Sequence, residues 1–223
     1  MSVAALRAFD WPTLERVDSP GGRAYVWPEG IAHPSVTTVL RATMPADKRE
    51  ALNGWLAKPG NAEVGEAAAD RGRTLHEAIE AYFETGDEAA SERLAGAWWR
   101  SIRPLLPSPN NVIAVEKFVA HRKRNYAGAL DALVDDAGRV VLYDWKTSTR
   151  PKRSDWIEDY RLQGAAYVGA IFDLTGVVVD EVRITFAHAN ERGTEFTMNS
   201  GGIARAWAGW RERLKAFDAL RAA

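Results

Sequence analysis

The sequence of 223 residues contains no cysteine. Without thiols the chain forms no disulfide bond, no thiolate zinc site and no cysteine-ligated iron–sulfur cluster, and a cysteine nucleophile is excluded. A metal ion bound by this chain must therefore be held by oxygen or imidazole ligands.

Long apolar runs and an excess of one charge are also missing. No apolar run approaches the roughly 18 residues of a membrane span, and the N-terminus lacks the basic and apolar regions of a signal peptide. The 29 Lys and Arg residues nearly balance the 30 Asp and Glu residues, which gives a net charge of −1. This balance is unlike the basic composition of a passive nucleic-acid coat. We expect a cytoplasmic protein with no membrane partner.

The two halves of the sequence have different patterns. Residues 1–34 are rich in Pro and Gly and have no clear period, which predicts an extended or irregular arm. Apolar residues at helical spacing then predict, after a short helix capped by Ser35, helices over about 48–57, 62–83 and 89–105. Beyond them, β-branched runs and further helical periods predict strands over 112–120, 126–134, 139–147, 177–187 and 194–198, and helices over 155–172 and from 203 onward.

This order of elements predicts a mixed α/β (α+β) fold. We expect residues 111–223 to form a core with a central mixed sheet flanked by helices. Residues 1–110 would add the N-terminal arm and a helical portion, and both parts would belong to one compact domain.

The stretch from Gly128 to Lys146 carries the clearest chemical signal. Two of the predicted strands are joined here by a tight turn at residues 135–138; one contains Asp131 and the other Asp144 and Lys146. The period-two alternation of a strand sends Asp144 and Lys146 to the same face. Two carboxylates suit Mg²⁺, which prefers oxygen ligands, and the lysine could position water or neutralise a phosphate. An ordinary surface ion pair is an equally good interpretation of this spacing alone.

Neighbouring groups extend this candidate site. Trp145 points away from the carboxylate face, but its backbone carbonyl can still turn toward an ion. Basic residues flank the two strands in sequence, at 121–124 and 150–153. Either segment alone could be a solvated loop, whereas their joint placement favours a track for phosphates.

Further motifs, in order, give the chain a resemblance to a known family. They are Pro34 to Thr38, Gly72-Arg-Thr-Leu-His76, Gly128-Ala-Leu-Asp131, Asp144-Trp-Lys-Thr147 and Gln163-Gly-Ala-Ala-Tyr167. With these motifs the sequence resembles the PD-(D/E)xK nuclease superfamily. It is most similar there to the RecB-like exonuclease branch, which includes phage and mitochondrial genome maintenance exonucleases. The resemblance covers roughly residues 33–170 and implies a restriction-endonuclease-like core.

The resemblance implies a role for each matching residue. The metal ligands would be His76, Asp131, Asp144 and the carbonyl of Trp145, although a lone helical histidine is more often structural. Lys146 would act at the scissile phosphate, and Gln163 and Tyr167, one helical turn apart, would support it and touch the DNA backbone. A core aromatic is the alternative for Tyr167. Glu116 is a further acidic candidate for orienting water or a second metal, and Glu80 competes for that role.

Several polar, basic and aromatic residues are candidates for contact with DNA. Ser35, Thr37 and Thr38 have hydroxyls that can hydrogen-bond phosphate, although helix capping explains them equally well. The remaining polar and basic candidates are Arg71, Arg73, Thr147 and Arg150. Among the nine tryptophans, Trp55 and either Trp98 or Trp99 are candidates for stacking on bases.

The predicted activity is hydrolysis of DNA phosphodiester bonds by a Mg²⁺- or Mn²⁺-dependent exonuclease. The alternatives are a catalytically silent DNA-binding or recombination accessory protein and a structure-specific endonuclease of the same superfamily. The absence of cysteine disfavours the relatives that hold an iron–sulfur cluster. Resemblance to phage enzymes adds a single-strand annealing protein as a possible partner and a bacterial host as the cellular setting.

Overall fold

Five strands from the second half of the chain form the central sheet. The computed structural model describes residues 2–222. The second half contains β4 (Val112–His121), β5 (Tyr126–Asp136), β6 (Arg139–Thr147), α6 (Glu158–Thr175), β7 (Glu181–Ala187), β8 (Thr194–Asn199) and α7 (Ser200–Ala222). The strands lie in the order β4-β5-β6-β7-β8. All neighbours are antiparallel except β6 and β7, which are parallel and therefore need the α6 crossover.

The first half of the chain supplies most of the remaining helices. It contains α1 (Val3–Arg7), β1 (Glu15–Ser19), β2 (Gly22–Val26), β3 (Ala32–Pro34), α2 (Val36–Ala42), α3 (Ala46–Leu56), α4 (Asn61–Thr85) and α5 (Glu88–Ile102). Ser35 caps α2 as the sequence predicts, because its hydroxyl accepts the Thr38 N–H. Among residues 2–222, no helix is both long and apolar enough to cross a membrane.

Helices cover both faces of the central sheet. Side chains of β6 alternate between two apolar clusters, with Val140 and Leu142 in one and Val141, Tyr143 and Trp145 in the other. The first cluster includes residues of α1, α2, α6 and α7, and the second includes residues of α4 and α5. The prediction of a mixed sheet flanked by helices is therefore confirmed.

The N-terminal arm, predicted as extended or irregular, has regular structure over most of its length. β1, β2 and β3 form a second, antiparallel sheet, which packs on the central one through Tyr25 and Trp27. Every residue of β1 is exposed, so the alternation that marks a half-buried strand is missing from its sequence. The first strand of the hairpin is fixed by its partner strand and not by a buried face of its own.

The ends of one helix and one strand also differ from those that the sequence predicts. The predicted helix over 89–105 contains a non-helical residue at Gly96 (φ 56°, ψ −125°) and gives way to a 3₁₀ turn after Ile102. The strand predicted from 177 begins at Glu181. Val177 and Val179 still pack against the core, while Val178 is 67% exposed, and this alternation explains why the segment resembles a strand in sequence.

Candidate active site

Three carboxylates lie in a row across the central sheet. The register that pairs Val115 with Ala132 and Lys117 with Leu130 puts Glu116 opposite Asp131. One step beyond the pair Ala132–Tyr143, the same logic puts Asp131 opposite Asp144. Residues directly opposite each other on antiparallel strands share a face. We call Glu116, Asp131 and Asp144 the carboxylate row.

Asp131 sits where β5 and β6 begin to separate. Its Oδ2 accepts the backbone N–H of Trp145 at 2.7 Å, in the place where a ladder carbonyl would otherwise be the acceptor. The side chain is nearly buried. Asp131 therefore opens the sheet locally and holds the Asp-Trp-Lys segment of β6 at a fixed position.

Asp144 and Lys146 form a buried ion pair. Lys146 Nζ lies 2.7 Å from Asp144 Oδ1 and 3.8 Å from Asp131 Oδ2. Burial raises the pKa of Asp144 to about 6, against the opposing effect of the Lys146 charge. Burial lowers the pKa of Lys146, but the charges of Asp144 and Asp131 outweigh it and the net pKa is raised. Lys146 is therefore an ammonium group in this arrangement.

His76 reaches the row from α4. Its Nδ1 lies 3.1 Å from Glu116 Oε1 and its Nε2 lies 2.9 Å from the Trp145 carbonyl oxygen. Burial lowers the pKa of His76, but the Asp131 charge and the bond to Glu116 outweigh burial and raise it to about 9. The helical histidine of the sequence motif thus lies at the carboxylate row rather than in the apolar core.

The donor set fits a hard divalent cation. His76, Glu116 and Asp131 each bring one possible ligand atom within 4.8 Å of the others. Both carboxylate oxygens of Asp144 are buried and have no hydrogen-bond donor of good geometry among the described residues, although Lys146 Nζ is close to one of them. Buried carboxylate oxygens without donors are the atoms that a cation would satisfy. This group of three contains Glu116 and not Asp144. The family resemblance implies Asp144 as a ligand.

Gln163 and Tyr167 of α6 bind each other. The Gln163 amide donates to the Tyr167 hydroxyl at 2.9 Å, and both side chains are buried. Their predicted contacts with Lys146 and DNA stay predictions. Tyr160 of α6 does lie near Lys146, with its ring centroid 6.0 Å from Nζ. No sequence motif singles out Tyr160.

Gly128 is explained by Tyr167. A Cβ atom at Gly128 would lie 2.4 Å from Tyr167 Cε1, far inside van der Waals contact. The glycine of the Gly-x-x-Asp motif therefore allows α6 to pack closely on β5, three residues before Asp131. Local packing, and not backbone freedom, requires glycine at this position.

The three hydroxyl side chains predicted to contact DNA differ in their exposure and in their hydrogen bonds within the protein. Ser35 is buried, and Ser35 and Thr38 use their hydroxyls within the cap of α2, where Thr38 donates to the Arg23 carbonyl at 2.8 Å. Thr37 is exposed. The capping interpretation thus holds for Ser35 and Thr38, while contact with DNA stays a prediction.

The remaining candidates lie on the outside or at the edge of the fold. Arg73 and Arg150 are exposed, and Thr147 is half-buried. Arg71 lies with its guanidinium 5.5 Å from the Trp98 ring centroid.

The tryptophan candidates for base stacking separate by burial. Trp99 is wrong as a candidate because it is buried against Tyr82. Trp98 is half-buried and Trp55 is exposed, so both stay predictions.

His188 is a buried residue that the sequence motifs do not reveal. Its Nδ1 lies 2.8 Å from the Ser148 carbonyl oxygen and its Nε2 lies 3.1 Å from Thr194 Oγ1. It ties the segment after Lys146 to β8. A single histidine far along the chain gives no sequence signal for such a link.

The sequence of the chain is similar to that of proteins named as exonucleases. No protein-family model matches the chain. The chain is 33% identical over 151 residues to the human protein named Mitochondrial genome maintenance exonuclease 1, a match covering 62% of this chain and 43% of that protein. The proteins of the same name in Mus musculus and Xenopus tropicalis are each 31% identical over 150 residues and similarly covered.

These relatives support a relationship between the chain and exonucleases. The match spans less than half of the length of each relative. The similarity therefore bears on the matched segment, and the activity of the whole relatives carries over only as a proposal.

Proposed function

We propose that the chain is a divalent-metal-dependent DNA exonuclease of the PD-(D/E)xK superfamily, in its RecB-like branch. The observation that carries the proposal is the carboxylate row with Lys146 and His76 at its edge. Similarity to three proteins named as exonucleases supports it independently. The order of the sequence motifs supports the choice of superfamily.

Mg²⁺ or Mn²⁺ would be held by the imidazole of His76 and by three oxygen donors, from Asp131, Asp144 and the Trp145 carbonyl. Glu116 would add a fourth oxygen donor or orient water. When bound, such an ion polarises the phosphate and lowers the pKa of water. His76 Nε2 lies 2.9 Å from the Trp145 carbonyl oxygen, so the proton on Nε2 would have to leave for both atoms to bind one ion.

Lys146 would act as a cation. The charges of Asp144 and Asp131, whose oxygens lie 2.7 and 3.8 Å from Nζ, raise its pKa. An ammonium held in a site of low dielectric stabilises the negative charge that develops on the phosphate. Asp131 and Asp144 fix its position, and the Tyr160 ring lies alongside.

The DNA strand would reach this site along exposed polar and basic groups. Arg150 and Thr37 are exposed, which suits contact with phosphate. Arg73 is exposed too, and its guanidinium forms an ion pair with Asp70 that phosphate would have to replace. An annealing protein as partner and a cytoplasmic location stay predictions from the sequence.

Digestion of three DNA substrates tests the proposal. Purified protein is incubated with linear, end-blocked and circular DNA, with Mg²⁺ and with EDTA. The expected result is degradation of linear DNA only, and only with Mg²⁺, because an exonuclease starts at an end. Asp144→Ala is expected to abolish degradation and leave DNA binding in place.

Each alternative gives a different pattern. Cleavage of the circle would identify an endonuclease of the same chemistry. DNA binding without cleavage, in Mg²⁺ and also in Mn²⁺, would indicate the catalytically silent accessory protein. Full activity of Asp144→Ala would remove the carboxylate row from the mechanism. Asp218→Ala, which removes an exposed carboxylate of α7, is the matched control.

A further inference from the structure

A cavity of about 540 Å³ opens beside the carboxylate row. It lies between the segment that follows α1 and the strand β4, which is an outer strand of the central sheet. Glu116 lines this cavity, and the same side chain contacts His76 at 3.1 Å. A molecule in the cavity would therefore lie next to the proposed site of cleavage.

Aromatic rings form much of the cavity lining. Phe9, Trp11 and Phe118 all line it and all are partly exposed. Phe9 and Trp11 meet edge to face, with ring centroids 5.1 Å apart and an interplanar angle of 81°. Accessible aromatic faces bind flat, π-rich groups such as nucleobases.

The aromatic rings, rather than the charges, favour a base over a phosphate. Asp10 and Glu116 line the cavity with carboxylates, and the exposed ammonium of Lys117 lines it too. The guanidinium of Arg7 is engaged with the backbone carbonyls of Asn110 and Val112. Carboxylate and hydroxyl oxygens, including that of Thr13, can instead accept hydrogen bonds from the amino groups of a base.

The cavity is held open by the fold itself. Leu6 of α1 is fully buried, and Ser2 caps that helix through the Ala5 N–H. Glu116 has a positive φ of 46°, a conformation that costs free energy for a residue other than glycine. A preformed cavity needs little ordering when a ligand binds.

We propose that this cavity is a nucleobase subsite, which takes the base of one nucleotide beside the scissile phosphodiester. The inference rests on the DNA exonuclease function proposed above. It adds that the enzyme binds one base by stacking, besides contacting phosphates. Stacking is tolerant of sequence because every base has a π-face, so the subsite would act on DNA of any sequence.

A scan of abasic substrates tests the subsite without changing the protein. The wild-type enzyme is given end-labelled DNA strands in which one base is missing, at successive positions from the end. We expect KM for the first cleavage to rise about tenfold at one position, with a smaller change in kcat. Equal KM at all positions would overturn the proposal.

Trp11→Ala provides the coupled measurement. On intact DNA it is expected to raise KM about tenfold, and the penalty for the missing base should disappear in this variant. Trp11→Phe keeps an aromatic face and is expected to retain most of the penalty. Phe172→Ala is the control, since Phe172 is 55% exposed on α6 and does not line the cavity.

The outcomes separate this inference from the proposed function. If wild-type protein degrades linear DNA but is insensitive to missing bases, the subsite is wrong and the exonuclease stands. If Trp11→Ala keeps the full abasic penalty, the base binds elsewhere and the assignment of the cavity is wrong. If no DNA is degraded with Mg²⁺ or Mn²⁺, the proposed function itself fails.

Discussion

Charged side chains in two regions of the molecule are held in different ways. In the carboxylate row, Asp144 is 1% exposed and lies beside Lys146, while Asp131 is fixed by the Trp145 N–H. Arg73 and Arg150, the basic candidates for DNA contact, are exposed. Buried, oriented charges are preorganised for chemistry, whereas exposed ones attract a polyanion and are screened by salt. Under the proposed function, this difference suits the first region to cleavage and the second to affinity.

The largest expected effect comes from removing the buried ammonium. Lys146→Ala is expected to lower kcat by about 10²–10⁴-fold, because it removes the cation held at the site of charge development. DNA affinity should change little, since the Lys146 side chain is only 20% exposed and the basic candidates for phosphate contact lie elsewhere. Gel-shift and single-turnover assays measure the two quantities.

Lys215→Ala removes an exposed ammonium of α7 and is the control. If Lys146→Ala lost affinity without a loss of kcat, Lys146 would contribute to DNA binding, as is proposed for Arg73 and Arg150, and not to cleavage.

A smaller effect is expected from the contact between β5 and α6, next to the carboxylate row. Gly128→Ala should lower the free energy of unfolding by about 1–3 kcal/mol, because the new methyl group overlaps the Tyr167 ring. Gly72→Ala is the control, since nothing lies within 4 Å of its Cβ position in α4 and helix propensity should stabilise it by about 1 kcal/mol. Denaturant unfolding measures both. Equal changes would mean that Tyr167 does not require this glycine.

The smallest effect is expected at a single exposed arginine. Arg150→Ala should weaken DNA binding modestly and reduce the slope of log affinity against log salt by about one, with kcat unchanged. Titrations at several salt concentrations measure the slope. Arg211, exposed on α7, gives the matched variant, and an identical slope change there would show that binding is not confined to the candidate track.

Local patterns predict much of this site. The two-residue spacing of Asp144 and Lys146 is enough to place them on one face, and the structure brings them to 2.7 Å. The turn between β5 and β6 is also local, with positive φ at Ala137 and Gly138 as the predicted tight turn requires. Ser35 caps its helix for a reason readable in the sequence.

Long-range register is what the sequence leaves open. The alignment of Glu116 with Asp131 depends on pairing between strands, which no local period encodes. The approach of His76 to the row depends on how α4 packs, so the family resemblance is needed to select it from four histidines. The link made by His188 and the exposed strand β1 leave no local signal at all.

Direct measurement of cation binding tests the central claim, that the carboxylate row is a divalent metal site. Wild-type protein is titrated with Mn²⁺ and the free ion is followed by electron paramagnetic resonance. The account predicts saturable binding that is lost in Asp131→Ala and retained in Asp218→Ala, since Asp218 is exposed on α7. Equal binding by wild type and Asp131→Ala, or no saturable binding by the wild type, would contradict it.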